Sequence, residues 1–82
     1  RLWRVKGWVH YENKDYDLAS QAFAKASGLD HNDINSLFLH GLCACRAGDR
    51  DSARKALEKV VCHDRYKTRA LGLIHEMEAE NI

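Results

Sequence analysis

The sequence predicts an all-α domain of about five helices, and three observations carry that prediction. Apolar residues recur at spacings of three and four over most of the chain, the period of a helix with one buried face. There is no proline among the 82 residues and only five glycines, too few of either for a domain built on many tight turns. The chain also matches itself without gaps at an offset of 34, which carries Gly7 onto Gly41, Asp15 onto Asp49, Asp17 onto Asp51 and Ala19 onto Ala53. The same offset carries Ala22 onto Ala56, Lys25 onto Lys59 and Asp30 onto Asp64. Such a period marks stacked supersecondary units that bury their apolar faces on one another.

The elements follow in order. Leu2, Trp3, Val5, Trp8, Val9 and Tyr11 form a helical stripe that ends near Asn13. Lys14-Asp15 breaks the pattern, and Asp15 is placed to cap the next helix with its carboxylate. That helix is expected over Tyr16 to Ser27, with Leu18, Ala19, Ala22, Phe23 and Ala26 spaced by three and four, and Gly28 ending it at positive φ. The second unit repeats the plan: a helix from Ile34 to Ala47, a break and cap at Gly48-Asp49, and a helix from Arg50 to Val61. A fifth helix is expected from about Arg65 to Glu80, with Leu71, Ile74 and Met77 on one side and Glu76, Glu78 and Glu80 making the other polar.

Residues Trp3, Gly7, Ala19, Phe23 and Ala26, followed by Leu37, Gly41, Ala44, Ala53, Leu57 and Val60, resemble the motif positions of the tetratricopeptide repeat family. The resemblance covers the whole chain. It implies a helical array with repeats at 1–33 and 34–67 and a C-terminal capping helix at 68–82. The departures are His31 and Arg65 where the family often has proline, Lys6 and His40 where an aliphatic residue is usual, and His75 at the small-residue position of the last helix.

That resemblance implies a concave groove lined by the first helix of each pair. The positions it points to are Arg1, Arg4, Trp8, Tyr11 and Glu12, then Asn35, Phe38, Leu42, Cys45 and Arg46, then Arg69, Gly72 and Glu76. Aromatic and arginine side chains are the types that dominate binding hot spots. The expected partner-binding set is therefore Arg4, Trp8, Tyr11, Phe38, Leu42, Arg46 and Arg69, with the arginines holding acidic groups of a partner. A two-carboxylate clamp for chaperone tails is disfavoured, because Trp8, Leu39 and Leu73 stand where that clamp wants asparagine or a cation.

Composition bounds the rest. Thirteen basic residues against twelve acidic ones give a net charge of +1, which disfavours a sequence-independent nucleic-acid clamp. No apolar run approaches the ~20 residues of a membrane helix. The three cysteines do not make a disulfide framework and point to a reducing, cytoplasmic setting. Cys43 and Cys45 are two apart on a helix and face different ways, so they do not jointly grip a metal. No phosphate loop, HExxH or CxxC motif is present, so neither an enzyme nor a cofactor is expected.

The function expected is a protein–protein interaction module, an adaptor or chaperone, that takes a partner peptide or helix. A structural assembly or dimerisation element is the second class. A third is a fragment like the type III secretion chaperones, suggested by Leu29-Asp30-His31 and the stretch Leu39 to Arg46. The start at Arg1 reads as a piece of a longer protein. Two repeats fall short of the roughly three that such arrays need, so further repeats of the parent chain or a second copy are expected to cover the apolar N-terminal face of Leu2, Trp3 and Val5.

Overall fold

A computed structural model describes residues 2–30 and 32–80. Its helices are α1 (Leu2–Glu12), α2 (Tyr16–Leu29), α3 (Ile34–Ala47), α4 (Arg50–Val60) and α5 (Asp64–Glu80), and no strand occurs among the described residues. Arg1 and His31 lie outside the described residues, as does the Glu80 side chain.

The helix ends have identifiable causes. Asp33 and Asp49 cap α3 and α4, each carboxylate accepting from the backbone N–H three residues on, at Ser36 (3.1 Å) and Ser52 (3.3 Å). Gly48 ends α3 at φ 89°, and Asp49 N–H donates back to Ala44 O. The corresponding turn after α1 is built the same way. Lys14 sits at φ 63° and Asp15 N–H donates to His10 O. Lys14 and Gly48 are 34 apart, so the repeat conserves a left-handed backbone position that only the second unit fills with the residue suited to it.

Three expectations are corrected. Asp15 starts α2 but its side chain makes no capping hydrogen bond. Gly28 does not end α2 at positive φ. It is helical, and the helix runs on to Leu29, where Asp30 N–H still reaches Ala26 O. Leu71 does not share the inner face of α5 and is 42% exposed. The buried stripe is instead Tyr66, Ala70 and Met77, with Leu73 and Ile74 packed beside it. That stripe follows the three-and-four spacing from one turn earlier than Leu71 suggested.

Packing follows chain order: α1 on α2, α2 on α3, α3 on α4, and α5 against both α4 and α3. Extents of 37 × 26 × 17 Å make the molecule long and two helices deep. One core cluster joins Ala19 and Phe23 of α2 to Leu39 and Cys43 of α3. The other joins Phe38, Ala44, Ala53, Leu57, Val60, Tyr66, Ala70 and Met77 across α3, α4 and α5.

Gly7 and Gly41 hold the two tightest crossings. A Cβ on Gly7 would stand 2.8 Å from the Phe23 ring, and one on Gly41 would stand 2.9 Å from Leu57 Cγ and Cδ2. Phe23 and Leu57 are fully buried, so each glycine is the socket for the large side chain two helices define. The two sockets are again 34 apart.

Candidate functional site

Of the partner-binding residues expected from the sequence, Trp8, Phe38, Leu42, Arg46 and Arg69 line two depressions, and Arg4 and Tyr11 line neither. The first, about 430 Å³, is lined by Trp8 of α1, by Asn35, Phe38 and Leu39 of α3, and by Arg65, Tyr66 and Arg69 of α5. The second, about 490 Å³, is lined by Tyr16, Leu42, Cys45, Arg46, Gly48, Leu73 and Glu76. Trp8, Phe38 and Arg69 therefore meet in one depression, and Leu42 and Arg46 meet in the next.

Trp8 is held rather than loose. Its ring stands edge-on to Phe23 at 5.6 Å and to Tyr11 at 5.7 Å, yet the side chain remains 41% exposed. Tyr11 in turn stands edge-on to Tyr16 at 5.7 Å. Such a chain of T-shaped contacts fixes the indole while part of it stays open to solvent. Phe38 is different. It is 8% exposed and stacks on Tyr66 with ring centroids 5.2 Å apart, so it is wall and core more than contact surface.

The arginines divide the same way. Arg4 Nε lies 3.6 Å from Asp33 Oδ2, so its charge is engaged within the chain. The Arg46 guanidinium lies 5.8 Å from the Tyr16 ring centre, exposed beside the second depression. Arg69 is exposed at the rim of the first.

Tyr66 was not singled out by sequence reasoning, and Arg65 only as a residue standing where the family often has proline. Tyr66 is buried and its hydroxyl donates to Asn35 Oδ1 at 2.9 Å, which ties α5 to α3 across the depression. The 34-residue offset aligns Tyr66 with Asn32, a poor guide. The spacing Tyr66, Ala70, Leu73, Met77 carried the signal that was missed.

Two other groups are tuned by burial. Burial pushes the Cys43 thiol up to about 11, with Arg46 pulling weakly the other way. Cys43 therefore stays protonated and unreactive near neutral pH. Burial also lowers the His40 pKa from its ordinary 6.5. The Ser20 carbonyl and Asp49 act against that, while Lys59 adds to it. His40 Nδ1 lies 3.0 Å from the Ser20 carbonyl oxygen, which only accepts, so Nδ1 carries the ring hydrogen.

Among the described residues, no three His, Cys, Asp or Glu side chains are grouped to hold a metal ion, and no helix is long and apolar enough to cross a membrane. No protein-family profile, curated protein or solved structure matches this chain.

Proposed function

We propose that the chain is a protein–protein interaction module of the tetratricopeptide kind, two repeats and a terminal helix, that binds a partner peptide or helix across α1, α3 and α5. The observation that carries this reading is the first depression. A half-exposed Trp8, braced by Phe23 and Tyr11, faces a wall of Phe38 and Tyr66 with Arg65 and Arg69 at the rim. An apolar side chain of the partner fills the aromatic part, and acidic groups flanking it meet the arginines. The array reading is supported by the equivalence of Gly7 with Gly41 and of Lys14 with Gly48. The thiols of Cys43 and Cys62 suit a reducing, cytoplasmic setting.

The test is selection of binders from a random peptide library, with counter-screening on the folded double variant Trp8→Ala and Arg69→Glu. Enriched peptides should carry an apolar residue beside acidic ones and lose binding to the variant. Peptides that bind wild type and variant equally would refute the groove.

A second reading has its own observation. Leu2, Val5 and Val9 are 63%, 60% and 52% exposed along one face of α1. An assembly role predicts self-association that Val5→Glu abolishes. A monomer by light scattering at high concentration would exclude it for this chain.

A further inference from the structure

A further cleft, about 530 Å³, lies on neither of the surfaces above. It opens between α2 and α4, which both pack on α3. Its two walls differ in kind. From α2 come Ala24, Ser27 and Gly28, spaced by three and four, all small and uncharged. From α4 come Ser52, Lys55, Ala56 and Lys59, a single helical stripe that puts two ammonium groups on the cleft. Ile34, Leu37 and His40 of α3, its cap Asp33, and His63 of the turn before α5 complete the lining.

The charge balance of this cleft is uneven. The one carboxylate in its lining is Asp33, and that group is already engaged by Arg4 Nε and by the Ser36 N–H and hydroxyl. Lys55 and Lys59 are like charges four apart on a helix, a mildly unfavourable pair, and the helix's own carboxylates, Asp51 and Glu58, do not line the cleft. Small residues opposite them leave the room. His40 adds a latent donor. Its Nδ1–H is committed to Ser20 O, so its second nitrogen, Nε2, is the one that gains a proton when the ring charges.

We propose that the α2–α4 cleft binds a phosphate-type anion, held by the ammonium groups of Lys55 and Lys59 and the Ser52 hydroxyl, with His40 as a further donor when protonated. A phosphate monoester dianion accepts several charge-assisted hydrogen bonds at once, which matches two lysines and a hydroxyl on one stripe. An anion bound there favours the charged imidazolium and raises the His40 pKa, so an anion of fixed charge binds more strongly as pH falls. The groups that set this balance are Lys55, Lys59 and Asp49 from α4 and its cap, His63 from the following turn, and Asp33 from the cap of α3. From α2 only uncharged residues line the cleft.

The experiment is nuclear magnetic resonance titration of the isotopically labelled protein with inorganic phosphate at constant ionic strength, with chloride as the control anion. Ser52, Lys55 and the His40 ring should shift saturably with phosphate and not with chloride. Lys55→Gln and Lys59→Gln should each weaken binding about tenfold, as loss of one charge-assisted hydrogen bond does. Lys67→Gln, on α5 outside the cleft, should leave it unchanged. Sulfate, whose charge stays fixed over this range, should bind more tightly at pH 5.5 than at pH 7.5, and His40→Gln should reduce that difference. A parallel titration with a phosphoserine peptide separates a free-anion site, where both probes bind equally, from a site for a phosphorylated chain, where the peptide binds tighter. Shifts that grow linearly without saturating, or equal affinity in the Lys55→Gln, Lys59→Gln double variant, would overturn the proposal.

Discussion

Adding one methyl group at each of three glycines tests the packing directly. Gly7, Gly41 and Gly72 all lie inside helices, α1, α3 and α5. Each Gly→Ala change gains helix propensity of about 1 kcal/mol. The surroundings then decide the sign. At Gly72 nothing lies within 4 Å of the new Cβ, so the gain stands alone. At Gly7 the new carbon would meet three atoms of the Phe23 ring at 2.8 to 2.9 Å, well inside the roughly 3.5–4.0 Å of ordinary contact. Phe23 is fully buried and its ring is braced edge-on by Trp8, so it does not swing away freely. At Gly41 the nearest atoms are Leu57 Cγ and Cδ2 at 2.9 Å, with the Ala56 Cβ behind at 3.4 Å. Cγ is tied close to the backbone, so α4 itself has to give.

Overpacking of this kind costs about 1–3 kcal/mol. Propensity is common to all three sites and cancels when they are compared. Gly7→Ala and Gly41→Ala should therefore fall about 1–3 kcal/mol below Gly72→Ala. The assay is thermal and urea unfolding followed by far-ultraviolet circular dichroism. A domain of this size shifts its midpoint by about 4–8 °C per kcal/mol, so the separation is readily measured. If Gly41→Ala proved as stable as Gly72→Ala, the close crossing of α3 and α4 would be refuted, and with it the physical equivalence of the two repeat units.

Lys14→Gly should raise stability by about 1 kcal/mol, because it relieves a left-handed backbone at φ 63° that Gly48 already occupies without strain; the reverse change Gly48→Lys should lower it, as read by urea midpoints. With iodoacetamide near pH 8, Cys62, which is exposed, should alkylate quickly while Cys43, buried and raised to about 11, should react only on unfolding, as mass spectrometry of the time course would show. His40 has a folded pKa below its unfolded value, so the unfolded chain takes up the proton first as pH falls. Stability should then drop below pH 6.5 and level off once the folded ring protonates; in His40→Phe that part of the drop should vanish from the unfolding curve.

Much of the helical plan was readable along the chain. The 3.6-residue period, the breaks at Lys14-Asp15 and Gly48-Asp49, and the 34-residue offset are local properties, and they placed α3 at its observed ends. The glycine sockets were readable too, because a repeated glycine opposite a repeated large apolar residue implies close approach. Gly28 misled, since glycine permits positive φ without requiring it, and the α2 hydrogen bonds simply carry on through it. Asp15 misled for a related reason. An aspartate at a helix start offers a cap, but whether its carboxylate turns back depends on the preceding turn, where Lys14 takes the left-handed position.

For the site, the residue types were legible and their division of labour was not. The resemblance implied one surface for Trp8, Phe38, Arg4 and Arg69. Only packing decided that Trp8 is braced yet half-exposed, that Phe38 is spent on Tyr66, and that Arg4 is held by Asp33. The α2–α4 cleft was invisible for the same reason. Ser27, His40 and Lys59 lie far apart along the chain, and no local pattern links them. What the sequence by itself determined was the number and order of the helices and the breaks between them, because those depend on neighbours within a turn or two. What only the tertiary structure decided was which charges and rings have partners, because that depends on how α2, α4 and α5 settle against α3.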